Sequence, residues 1–203
     1  VAAMLAAGFA PSSDAAVLDS ADVVVICVPT PLDRHGSPDL SAVLGAGRTV
    51  AEHLRPGTLV VLESTSYPGT TEDLLRPLLE ESGLVVGTDI HLAFSPERID
   101  PGNPQFDLRR TPKVVGGVTP ECGRRAGEFY GTVVDEVVMV PRAREAELTK
   151  LLENTYRHIN IALVNEMAKV CHELDIDVWS VVDAAATKPF GFQSFRPGPG
   201  VGG

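Results

Sequence analysis

RAREAELTKLLENTYRHINIALVNEMAKVCHEL, residues 142–174, is the stretch around which this chain is organised. Leu148, Leu151 and Leu152, Tyr156, Ile159, Leu163, Met167, Val170 and Leu174 recur at spacings of three and four, and neither Pro nor Gly interrupts them. That pattern predicts one amphipathic helix. At 1.5 Å per residue it runs on the order of 45 Å, longer than most helices of a small domain, so it should link two domains or two subunits. Lys150 and Asn154 stand four apart and stack on one face, where a cationic donor and a neutral amide can meet one ligand. The competing reading pairs Lys150 with Glu147 or Glu153 on a solvated face.

Upstream, strand-like and helix-like segments alternate. DVVVICV (22–28) is a β-branched run suited to a strand buried on both faces, ended by Pro29-Thr30-Pro31. Ser37-Pro38-Asp39 should cap a helix reaching about Leu54. TLVVLE (58–63) reads as the next strand, followed by the loop 64–69 and a helix over 70–82 that Pro77 should bend. Residues 90–94 form a third strand leading into Ser95-Pro96-Glu97-Arg98, and 113–116 a short fourth. Thr119-Pro120 caps a helix ending near Gly131, 133–140 is the last strand before the long helix, and 177–186 is a further helix.

This alternation specifies an α/β fold built on a parallel sheet with right-handed crossovers. Ligands of such sheets bind beyond the carboxyl ends of the strands, so Thr30, Thr65 and Glu97, each on a loop leaving a strand, should converge on one crevice. No GxGxxG precedes these strands; Gly116-Gly117 and the run 198–203 lack the strand-to-helix context of that fingerprint.

A chain of 203 residues with 44% hydrophobic content can bury a sizeable core. Its formal charge of −10 opposes binding to a phosphate backbone, which argues against nucleic acid as a partner. The longest apolar run, 23–28, is too short for a membrane span, and residues 1–10 lack the basic start of a secretory signal. The expected location is cytoplasmic. Three cysteines give no disulfide framework; Cys27, placed in a strand, and Cys171, in the long helix, read as buried hydrophobes. The scattered histidines give no metal-site spacing. A start without Met and a glycine-rich end point to a fragment of a longer protein.

Five motifs in order resemble the nucleotide-sugar dehydrogenase family, the UDP-glucose and UDP-N-acetylhexosamine 6-dehydrogenases. They are Val28-Pro29-Thr30-Pro31; Glu63-Ser-Thr-Ser-Tyr-Pro-Gly69; Phe94-Ser-Pro-Glu-Arg98 with Asp100-Pro-Gly-Asn103; ELTKLLENTYR (147–157); and Lys188-Pro-Phe-Gly191 with the run 197–203. The Ser-Pro-Glu-Arg-Ile-Asp-Pro-Gly-Asn form is closer to the acetylated-hexosamine branch. The resemblance implies a partial Rossmann-like NAD-binding domain over 1–141, then the central helix and the start of a helical middle domain over 142–203. It implies a two-step oxidation of a sugar C6 alcohol to the acid with two NAD, for polysaccharide or glycoconjugate biosynthesis, through a cysteine thiohemiacetal and thioester.

By the same resemblance, Lys150 stabilises the developing oxyanion and Asn154 holds the same oxygen or an ordered water. Glu97 is the general base of thioester hydrolysis, helped where partial burial raises its pKa. Thr65 positions the water or the nicotinamide, and Val28, Pro29 and Thr30 approach the cofactor. The partners implied are a UDP-sugar and a second copy, docked through the central helix. The family's glycine fingerprint, ribose-binding acid, catalytic cysteine and UDP-binding domain have no counterpart in these residues, so the fragment alone should be inactive. A β-hydroxyacid dehydrogenase shares the lysine-asparagine helix but lacks Ser95-Pro96-Glu97 and the terminal glycine run. A non-catalytic interaction module built on the helix is the other alternative.

Overall fold

The computed structural model describes residues 2–100, 105 and 107–198. The chain parts into two compact units, Val1–Lys150 and Leu151–Gly203.

The first unit is built on a five-stranded sheet in chain order: β1 (Val23–Ile26), β2 (Leu59–Leu62), β3 (His91–Phe94), β4 (Lys113–Gly117) and β5 (Val137–Val140). β1, β2 and β3 run parallel, in a register that sets Ile26, Leu62 and Phe94 side by side. β4 and β5 are parallel to each other, but β4 is antiparallel to β3, an exception to the expected parallel sheet. The cause is the connection: a parallel return needs a crossover, usually helical, and the described residues between β3 and β4 contain no helix.

One face of the sheet packs Val24, Ile26, Val60, Leu62, Leu92 and Phe94 against α2 (Ser41–Glu52), α3 (Arg76–Glu80) and the first turns of the long helix, α5 (Ala143–Glu173). The other packs Leu59, Val61, Ala93 and Val115 against Ala126 and Tyr130 of α4 (Pro120–Tyr130). Every residue of β2 and β3 is buried, as two-sided burial requires. β1 departs from the expected double burial. It is an edge strand whose Val25 is exposed, because α4 covers the sheet beyond it. Cys27 lies one residue past β1 and is exposed, not the buried strand residue expected; Cys171 is buried as expected.

Two helices differ from the sequence reading. α2 begins at Ser41, with the Asp39 carboxylate accepting from the Ser41 N–H at 2.9 Å, because Ser37 and Pro38 turn in a local bridge with Leu32. The helix over 70–82 is two pieces, a π-helical turn Thr70–Leu75 and then α3. Pro77 has no N–H for the i→i−4 ladder, and the chain widens into the π turn just before it. The cap on α4 forms as expected, Thr119 Oγ1 accepting from Cys122 N at 3.2 Å.

α5 forms over 31 residues, one short of the predicted span at each end. In the second unit it is followed by α6 (Val178–Ala186), whose Asp177 cap accepts from Trp179 N and Ser180 N, and by an extended tail. The tail is tied to α5 by Tyr156, which donates to Gln193 at 2.8 Å. Asn165 accepts from Gly198 N at 3.0 Å and donates to its carbonyl at 3.1 Å. The Pro-Gly-Asn part of the third motif and residues 199–203 of the glycine run lie outside the described residues.

Candidate functional site

Since Ile26, Leu62 and Phe94 end their strands in register, the loops that follow leave the sheet at one edge. Thr30, Thr65 and Glu97 are thereby brought to a common side of the first unit. Thr65 is exposed and Thr30 half-buried. Ser64 joins the first two loops: its hydroxyl accepts from Val28 N at 2.8 Å and donates to the Ile26 carbonyl at 3.3 Å. Ser66, two residues on, carries a buried hydroxyl with no partner among the described residues.

α5 reaches this edge with three residues at i, i+3 and i+6. Arg144 Nε bonds Glu72 at 2.7 Å, and its Nη2 bonds the two oxygens of Asp73 at 2.7 and 2.8 Å. Glu147 is fully buried and accepts from Gly69 N at 2.6 Å, Thr71 N at 2.9 Å and Thr71 Oγ1 at 2.7 Å. Gly69 presents its N–H from a left-handed backbone (φ +102), and a side chain there would strike Asp73. Burial pushes the Glu147 carboxyl above its ordinary value, outweighing the opposing hydrogen bonds from Thr71 and Gly69. Lys150 donates to the Glu97 carbonyl and stands 3.7 Å from its carboxylate. The Lys150 side chain is 14% exposed and that of Glu97 49%. The pairing of Lys150 with Glu147 weighed from sequence does not form, since Glu147 is spent on the loop after β2. Asn154 follows Lys150 by one turn of the same helix, half-buried, in the second unit.

Under the same edge lies a cluster the sequence reading missed. Lys113 pairs with Glu63 at 2.7 Å, Tyr130 donates its hydroxyl to Glu63, and the Cys27 thiol stands 3.7 Å from the other Glu63 oxygen. Burial first, then Glu63, pushes both the Tyr130 phenol and the Cys27 thiol upward, which leaves Cys27 a poor nucleophile. Cys122 meets Thr119 and His91. Glu63 stood in a quoted motif, but its partners lie 36, 50 and 67 residues away and share no period with it. Glu147 was legible in principle: with Arg144 and Lys150 it forms one helical face, and Ala143 and Ala146 beside it mark that face as buried.

Gly116 and Gly117 are the last two residues of β4 itself. Their purpose is packing: Gly116 pairs with Phe94 and lies against the Arg142 carbonyl, and Gly117 pairs with Ala93 and lies against Gly123 of α4.

Comparison with known proteins places this arrangement. Residues 2–134 match the UDP-glucose/GDP-mannose dehydrogenase family, NAD binding domain, and 144–203 match the central domain of the same family. The chain belongs to this family. It is 44% identical over 189 residues to the CapL protein of Staphylococcus aureus, covering 92% of this chain and 44% of that one. It is 39% identical over 190 residues to the UDP-N-acetyl-D-mannosamine dehydrogenase of Escherichia coli K12, covering 90% and 45%. The structure of UDP-D-ManNAc dehydrogenase from Pyrococcus horikoshii superposes with a TM-score of 0.88 at 39% identity, covering 95% of this chain and 46% of that one. The chain spans less than half the length of these relatives. Among the described residues no helix is long and apolar enough to cross a membrane.

Proposed function

We propose that the full-length gene product oxidises the C6 alcohol of a UDP-sugar to the carboxylate with NAD, and that its substrate belongs to the N-acetylhexosamine branch. The observation that carries this reading is Lys150, largely shielded from solvent and held at the carboxyl edge of β1–β3 by Glu97 of the loop after β3, which bears one of the family's motifs. The family match to an NAD binding domain and the likeness to UDP-N-acetylmannosamine dehydrogenases support cofactor and branch. The unpartnered Ser66 hydroxyl at this edge fits a polar ligand. NAD, when bound, supplies the hydride acceptor.

In this reading the residues divide the work. Val28, Pro29 and Thr30 line the cofactor side of the edge, and Thr65 orients the nicotinamide or a water. Lys150 faces the sugar C6 oxygen as negative charge develops on it, and Asn154 adds a neutral donor one turn further on. Glu97 takes the proton from the hydrolytic water. We place the functional boundary at residues 141/142, between the two family matches, with a remnant NAD-binding domain before it and the central helix opening the middle domain after it.

The α5 side chains of Leu148, Leu152, Ile159 and Leu163 are each more than half exposed, an apolar stripe that supports association of two copies through this helix. The 203-residue chain alone is expected to be inactive. Cys27 and Cys122 are engaged elsewhere, and Cys171 is buried within the second unit.

The test is stoichiometric. The full-length product, given UDP-N-acetylmannosamine, UDP-N-acetylglucosamine and UDP-glucose side by side, should release about two NADH per sugar consumed with an N-acetylhexosamine substrate, because two hydride transfers need two cofactors. Release of one NADH would reduce the reaction to an alcohol oxidation, and oxidation of a short 3-hydroxy acid in place of every sugar would favour the β-hydroxyacid reading.

A further inference from the structure

We propose that Glu147 is a positioning residue of this site: its buried carboxylate, through three hydrogen bonds to Gly69 and Thr71, locks the loop after β2 to the helical turn that aims Lys150. The inference rests on the enzymatic reading above and deepens it, by assigning the geometry of that site to a residue that touches neither sugar nor cofactor.

The two loops involved are separate in sequence and leave neighbouring strands. The loop after β2 carries Thr65, and the loop after β3 carries Glu97; α5 is the element that grips both. Glu147 holds the first, and Lys150, one turn on, holds the second through the Glu97 carbonyl. Arg144, one turn back, pairs with Glu72 and Asp73 in the π turn that follows Gly69. The face Arg144–Glu147–Lys150 therefore fixes where Lys150 stands relative to Thr65.

A carboxylate is suited to the middle position because it only accepts, and the three groups that meet it are all donors. Glutamine keeps the volume and one acceptor oxygen but turns an NH2 group toward those donors, so at least one bond is lost and the loop moves relative to the helix. Displacements of about 1 Å in a catalytic constellation cost on the order of 100-fold in rate. Leaving the carboxylate in place and removing only one donor, as in Thr71→Val, should cost less.

The test uses the full-length gene product carrying Glu147→Gln or Thr71→Val, with two readouts. Hydrogen exchange of the Gly69 and Thr71 amides reports the brace itself, whether or not the protein is catalytically active. Turnover with unlabelled and C6-dideuterated UDP-sugar reports the positioning. The expected result for Glu147→Gln is faster exchange at both amides, a kcat lowered by roughly 10- to 100-fold and a deuterium isotope effect above the wild-type value, with Thr71→Val intermediate. A merely structural role would lower the fraction of active enzyme and leave the isotope effect where it was, which would overturn the proposal. Unchanged exchange would overturn the brace. A wild-type product that oxidises no sugar would overturn the enzymatic reading, and the positioning role with it, even with the brace intact.

Discussion

Replacing Lys150 with Met should lower UDP-sugar turnover by the full-length gene product by about 10²–10³-fold, the cost of removing one donor from a developing oxyanion. NAD affinity should stay close to wild type. Methionine keeps the length and apolar stem of lysine and removes only the charged tip. The partners it gives up, the Glu97 carbonyl and carboxylate, belong to a residue half exposed to water, so folding stability should change little. A cation with a 14% exposed side chain is weakly screened, which is why its removal should register in catalysis and not in the fold. Lys150→Arg should not restore the rate, because a planar guanidinium cannot occupy the same point as an ammonium. Steady-state kinetics beside a urea melt check both halves. An equal loss in each would make Lys150 a structural residue and remove the centre of the proposed site.

The second large effect concerns the fold. Gly117→Ala should destabilise the first unit by about 3 kcal/mol, the upper part of the range for overpacking. A Cβ at Gly117 would lie 2.0 Å from Gly123 N and 2.6 Å from the Thr119 carbonyl oxygen. Both are backbone atoms of α4 and its cap, so relief requires the helix to move off β4 as a body. Against the roughly 5–15 kcal/mol that holds a domain together, such a loss is large. Gly45→Ala is the control: this glycine sits within α2 with nothing within 4 Å of its added Cβ. It should stabilise by about 0.5–1 kcal/mol through helix propensity. Denaturant midpoints read both changes, and an unshifted midpoint for Gly117→Ala would mean that β4 and α4 do not approach as described.

Local patterns carried most of this architecture. The β-branched runs at 23–28 and 58–63 declared strands, Thr119-Pro120 declared a helix start, and the period of 142–174 declared the long helix to within a residue at each end. Long-range partners stayed hidden. Nothing near Lys113 indicates that its strand turns antiparallel, since that follows from the described residues upstream of it, back to β3, containing no helix. Nothing near Cys27 indicates exposure, because the strand it follows lies at an edge of the sheet. The three loops were legible as a group, since each leaves a strand at the same end. Their fastening was not: Ser64 and Glu147 act through backbone N–H groups, which no side-chain pattern displays. Glu147 and Lys150 lie on one face of α5, but the donors to Glu147 come from the loop after β2, more than 70 residues away in sequence.

The most direct measurement is a structure of the full-length gene product with NAD and its UDP-sugar bound. The sugar C6 oxygen is expected at the carboxyl edge of β1–β3, within about 3 Å of Lys150 Nζ, the distance of a hydrogen bond. Glu147 should still hold Gly69 and Thr71. A sugar bound at the amino edge of β1–β3, or a Lys150 that keeps the Glu97 carbonyl and stands clear of C6, would contradict that placement.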